Sequence, residues 1–120
     1  DSAINVTGQS LLSLQKCSVT ENNLIGIASD ANTTILDSVI SNSGKIGLLC
    51  NQNATGEIRK NEISNNGESA VLCAGGTLKI LENNIINNGK FGIYIASKVS
   101  PSVENNTFSS NNLAHIWHTE

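Results

Sequence analysis

The sequence predicts an all-β fold: a right-handed, single-stranded parallel β-helix of about five rungs, each 21–23 residues long. Three observations carry this prediction. The chain repeats internally at a near-constant step, Asn recurs at one position of the repeat, and large side chains are scarce. One domain is expected over residues 1–120, as part of a longer solenoid or a larger protein.

The repeat comes first. A small residue followed by an apolar one recurs at Ala3-Ile4, Gly26-Ile27, Gly47-Leu48, Ala70-Val71 and Gly92-Ile93, with steps of 23, 21, 23 and 22 residues. Leu14, Ile35, Ile58, Ile80 and Val103 form a second series, and Val19, Ile40, Ile63, Ile85 and Phe108 follow it five residues later. Between these two stand Cys17, Ser38, Asn61, Asn83 and Asn106. Four series holding step over five copies define the rung.

Each copy reads as three short strands. Ile93-Tyr94-Ile95 alternates in and out, as a half-buried strand does. Ile-x-x-Asn-x-Ile, at Ile58 to Ile63 and Ile80 to Ile85, reads as two strands meeting at an Asn corner. Asn65 to Gly67 and Asn87 to Gly89 supply a turn, because Asn and Gly tolerate positive φ. Leucine-rich repeats share the length but need a closer Leu spacing, and helical repeats need a 3.6-residue period that these segments lack.

Stacking such rungs puts like residues over like. Ile4, Ile27, Leu48, Val71 and Ile93 become one inward column, and Val6, Ser29, Cys50, Cys73 and Ile95 its neighbour. Asn61, Asn83 and Asn106 are expected to form a ladder of amides bonded to one another and to the bend backbone. Cys50 and Cys73 read as small core residues in preference to a disulfide or metal pair. Lys16, Asp37, Lys60 and Glu82 read as a solvated outer column whose alternating charges favour this register.

Composition excludes several function classes. The chain has two Phe, one Trp and one Tyr, no Met, and a net charge of -3. With one Arg, Arg59, and only scattered Lys, it has no basic stripe for nucleic acid. No apolar run reaches the ~18 residues of a membrane span. Beginning at Asp1 without Met, the chain reads as a processed form or a fragment. Three cysteines, Cys17, Cys50 and Cys73, favour a reducing, intracellular setting over a disulfide-built extracellular one, which stays open. Sequons at Asn5, Asn32, Asn53 and Asn105 read as coincidental in a sequence so rich in Asn, Ser and Thr.

For chemistry the chain offers little. No catalytic constellation emerges, and no cofactor or metal site is expected; the surface acids form no paired set. His115 and His118, three apart on a strand, face opposite ways and do not make a metal pair. One surface feature stands out. Outward positions of the first strand run Asn5, Ala28, Leu49, Leu72, Tyr94 and Trp117, an apolar and aromatic stripe toward the C-terminus. Leu49, Leu72, Tyr94 and Trp117 are therefore the candidate partner-binding residues. Further rungs or a capping chain are expected against the ends, since uncapped rungs expose unpaired strand edges.

The segment from Gly92 to Phe108, with Gly-Ile-x-Ile at its start and Pro101, Val103, Asn106 and Phe108 beyond, resembles the β-helix repeats of the carbohydrate-binding and sugar-hydrolase (NosD-like) superfamily. Within it, Gly47 to Ile63 and Gly92 to Phe108 look most like the β-helix of F-box-only ubiquitin-ligase adaptors. That resemblance implies a substrate-recognition role, with a protein partner preferred to a carbohydrate. Sugar-processing relatives imply instead a polysaccharide-binding or lyase- and epimerase-like domain with surface acids and bases, and no matching cluster occurs here. A structural solenoid within an assembly is the third reading.

Overall fold

The computed structural model describes residues 2–119, which form sixteen short strands with no helix among them. The first coil holds β1 (Ser2–Val6), β2 (Leu11–Gln15) and β3 (Ser18–Thr20). The second holds β4 (Ile25–Ser29), β5 (Asn32–Leu36) and β6 (Val39–Ser41), and the third β7 (Ile46–Cys50), β8 (Thr55–Arg59) and β9 (Glu62–Ser64). In the fourth lie β10 (Ser69–Cys73), β11 (Thr77–Leu81) and β12 (Asn84–Ile86). The fifth comprises β13 (Phe91–Ile95), β14 (Ser102–Glu104) and β15 (Thr107–Ser109), after which β16 (Ala114–His118) opens a sixth.

Every third strand pairs in parallel. The first sheet runs β1-β4-β7-β10-β13-β16, the second β2-β5-β8-β11-β14 and the third β3-β6-β9-β12-β15. Register follows the repeat: Leu48 pairs Val71 and Val71 pairs Ile93, while Ile35 pairs Ile58 and Ile58 pairs Ile80. The predicted inward columns are thus superposed, and Ile27, Ile35, Leu48, Ile58, Ile63, Val71, Ile80, Ile85 and Ile93 are fully buried. Toward the ends the same columns open. Ile4 and Leu14 at one end, and Val103 and Phe108 at the other, are only partly buried.

The predicted ladder is formed at the corner between the second and third sheets. Cys17 N–H donates to Ser38 Oγ (3.1 Å), and Ser38 N–H to Asn61 Oδ1 (2.9 Å). Asn61 N–H then donates to Asn83 Oδ1 (2.9 Å), and Asn83 N–H to Asn106 Oδ1 (2.8 Å). Each amide also reaches back one coil: Nδ2 of Asn61, Asn83 and Asn106 donates to the carbonyls of Ile35, Ile58 and Ile80, all at 2.9 Å. A buried corner so satisfied leaves few polar groups to bind a ligand.

A second ladder, not foreseen in the sequence, fills the corner between the third and first sheets. Ser43 N–H donates to Asn66 Oδ1 (3.0 Å), Asn66 N–H to Asn88 Oδ1 (3.1 Å) and Asn88 N–H to Asn111 Oδ1 (3.1 Å). It stops short at one end. Ser43 Oγ and the Asn22 Nδ2 below it are buried without partners, because a hydroxyl is too short to span where an amide stands in later coils. Ser43→Asn is expected to extend the ladder and raise stability by about 1 kcal/mol in urea unfolding. An unchanged or lower midpoint would contradict this.

The corners bear out the expected Asn turns and refine the expected charge column. Positive φ falls on Asn65 and Asn87 (both 57°), not on the following glycines. Gly67 is required for a different reason: a Cβ there would run into the Gly44 carbonyl of the coil before. Lys16, Asp37, Lys60 and Glu82 do follow one another on successive coils, but no salt bridge joins them among the described residues. All four are exposed left-handed corner residues, with φ of 50–57°. Among the described residues, Lys16, Asp37 and Lys60 make no salt bridge, and Glu82 pairs with Arg59 at 3.2 Å.

Candidate functional site

The outward column of the first sheet is built by strand alternation. Between inward Leu48 and Cys50, Leu49 must face out, and the same holds for Leu72, Tyr94 and Trp117 in their strands. Register sets them in line: Ala28 pairs Leu49, Leu49 pairs Leu72, Leu72 pairs Tyr94 and Tyr94 pairs Trp117. Leu49, Leu72 and Tyr94 are half-buried, and Trp117 is 49 % exposed.

Phe91 joins them, although alternation alone does not reveal it. Its ring lies 5.3 Å from that of Tyr94, tilted at 59°, and 5.7 Å from that of Trp117, stacked at 30°. Phe91 enters β13 from the corner, where the backbone turns its ring to the outer side. The result is a three-ring cluster on a sheet whose backbone is fixed by pairing on both sides of β13. Aromatic pairs at these separations add ~0.5–1.5 kcal/mol beyond burial.

The other candidate features resolve into structural roles. The Cys50 and Cys73 thiols are free and buried on adjacent coils. A side-chain hydrogen bond with Cys73, and then burial, hold the Cys50 thiol well above its ordinary value of 9.0. A raised thiol pKa means that the folded state stays protonated where the unfolded chain ionises. Its contribution to stability is therefore complete below about pH 9 and is lost as pH rises through the folded value. Cys50→Ala is expected to flatten the alkaline loss of stability in melts from pH 8 to pH 10.5, and a slope equal to wild type would refute this.

His115 stacks on Phe108 (5.5 Å, 27°), with Nδ1 3.3 Å from Asn111 Nδ2. Ile116 and His118 pair with Ile93 and Ile95 as expected, and both are exposed, Ile116 by 44 %, because no described strand of the other sheets lies opposite β16. Arg59 bridges Glu82 and, at 3.6 Å, Glu57. Among the described residues no group of three or more His, Cys, Asp or Glu comes together as a metal site.

A shallow groove of about 300 Å³ crosses the outer face of the second sheet, lined by Thr34, Gly56, Glu57, Thr77, Leu78, Lys79 and Ser102. The alternating outward positions Thr34, Glu57, Lys79 and Ser102 pair in register across four coils, which makes the groove run along the solenoid axis. The groove holds Glu57 beside its register partner Lys79, and no second carboxylate joins them among its lining residues.

The family described as right-handed β-helix region matches residues 2–120. No curated protein and no solved structure matches the chain.

Proposed function

Since the chain belongs to the right-handed β-helix family, whose stacked coils make long, rigid surfaces, we infer that it is a non-catalytic protein-interaction module. Its contact surface is the stripe of Leu49, Leu72, Tyr94 and Trp117, with Phe91 beside them. The observation that carries this reading is the half-exposed ring cluster. Trp and Tyr held rigid on a sheet lose little side-chain entropy on binding, and such residues dominate the energetics of protein contacts. The sequence likeness to F-box-only adaptors supports a finer version, in which the coil is the substrate-recognition part of a ubiquitin-ligase adaptor. A protein partner in a reducing, intracellular compartment suits both the apolar stripe and the odd number of cysteines.

Pull-down with the wild-type chain, Trp117→Ala and Tyr94→Ala tests the reading. Each truncation is expected to weaken capture by about tenfold or more, the loss typical of a central aromatic contact. Retention of the same partners by both variants would remove the site assignment.

The groove supports a second reading, polysaccharide binding. Its hydroxyls, with Glu57 and Lys79, repeat at the coil spacing of ~4.8 Å, near the length of one sugar in a chain. Glycan-array binding that is lost in Lys79→Ala and kept in Trp117→Ala would favour this reading over the first.

A further inference from the structure

The stripe has a width, a repeat and a charged margin, and together these restrict what can lie on it. Along each strand it is one residue wide. The neighbouring positions on one side are the inward Leu48, Val71 and Ile93, preceded by the buried Gly47, Ala70 and Gly92, and on the other the inward Cys50, Cys73 and Ile95. Large apolar side chains extend it sideways at the corner leading into the sheet, through Ile46 and Phe91, while the other side adds only the small Ala74 and Ala96.

That corner also stacks in register: Lys45 N–H donates to the Leu24 carbonyl, Glu68 to Lys45, Lys90 to Glu68 and Leu113 to Lys90. It forms a margin of Leu24, Lys45, Glu68, Lys90 and Leu113. Lys45 makes no salt bridge among the described residues, and Lys90 reaches Glu68 only at 3.9 Å, so the margin carries net positive charge. On the opposite margin the one acid among the described residues, Asp30, is already occupied, accepting the Asn53 backbone N–H at 2.8 Å and its amide at 3.4 Å.

We propose that the stripe takes an amphipathic helix of a protein partner, laid along the solenoid axis with acidic residues toward Lys45 and Lys90; this rests on the interaction reading above. The stripe side chains recur every ~4.8 Å, and the turns of a helix every ~5.4 Å. Across the three steps from Leu49 to Trp117 the slip is only about 2 Å, so one helical ridge of apolar residues meets every coil. An extended chain on the same path places same-face side chains ~6.8 Å apart and falls out of step after one coil. A polyproline helix, with ~9.3 Å per turn, meets only alternate coils.

The test uses the whole chain against three displayed peptide libraries: helix-forming with apolar residues at i, i+3, i+4 and i+7, extended with alternating apolar residues, and proline-rich. Each carries acidic, neutral or basic flanks, and binding of the selected peptides is read by the anisotropy of a fluorophore on the peptide, a signal that does not depend on Trp117. Helical, acid-flanked peptides are expected to be enriched, and Trp117→Ala to weaken them by about tenfold. The double variant Lys45→Glu/Lys90→Glu, checked for folding by circular dichroism, is expected to shift selection to basic flanks. Extended or proline-rich binders that depend on Trp117, or helical binders indifferent to charge reversal, would overturn the helix proposal and leave the interaction reading standing. Binders indifferent to Trp117→Ala, or none from any library, would overturn both.

Discussion

Ile58→Ala is expected to lower the unfolding free energy by about 3–4 kcal/mol, the cost of removing three buried carbons and leaving a cavity. Ile58 is completely buried and stacks between Ile35 and Ile80. Collapse into the gap is restrained, because the backbone on either side is held by the ladders of the neighbouring coils. Position along the solenoid sets the size of the effect. Leu14 occupies the same column but is only partly buried, with a packed coil on one side among the described residues. Leu14→Ala is therefore expected to cost about 1–2 kcal/mol, since a half-exposed side chain forfeits less transfer energy. Urea unfolding of both variants separates a stacked column from an ordinary globular core. Equal losses at the two positions would argue against coil-by-coil packing.

Asn83→Ala is expected to cost about 3 kcal/mol, although the residue is polar and lies at a bend. The substitution removes the acceptor for two donors of Asn61, its N–H at 2.9 Å and its Nδ2 at 3.1 Å, and the donor to the Ile58 carbonyl. Asn61 is 2 % exposed, so water cannot readily replace the lost partner. Buried groups left without partners cost ~1–3 kcal/mol each, and Asn61 keeps its bond to Ile35, which moderates the sum. Asn83→Ser should lose less, because Ser38 shows that a hydroxyl in this column can accept the N–H of the coil before it. Asn84→Ala, one residue along and exposed, serves as the control and should be near neutral. Chemical denaturation of the three variants in parallel measures the order, and an Asn83→Ala protein as stable as Asn84→Ala would rule the ladder out as a source of stability.

Fold and register were legible in the sequence because a solenoid writes its core as columns. Ile35, Ile58 and Ile80 fill one slot in successive coils, and a branched aliphatic residue there has a single packing role. The second ladder was hidden for the opposite reason. In Asn65-Asn66-Gly67 one Asn takes the left-handed backbone and the next turns its amide inward, and both roles favour the same residue type. Lys60 and Glu82 at left-handed corners misled in another way. Their charge suggested a surface pairing, whereas the backbone conformation they adopt leaves no signature in residue type.

Of the candidate surface, Leu49, Leu72, Tyr94 and Trp117 could be aligned by counting, since the alternation between inward columns dictates where they point. Phe91 could not. Two residues before inward Ile93, alternation assigns it to the core side, and only the turn of the chain at the corner brings its ring against Tyr94. The groove on the second sheet was equally hidden, for its outward residues Thr34, Glu57, Lys79 and Ser102 share no residue type that marks a column.

Methyl–methyl nuclear Overhauser spectroscopy on chain labelled at Ile δ1 tests the superposition of coils most directly. The structure predicts contacts between Ile35 and Ile58 and between Ile58 and Ile80, residues 22 or 23 positions apart, with none between Ile35 and Ile80, two coil spacings or ~9.6 Å apart. Missing neighbour contacts, or an Ile35–Ile80 peak as strong as either, would contradict it.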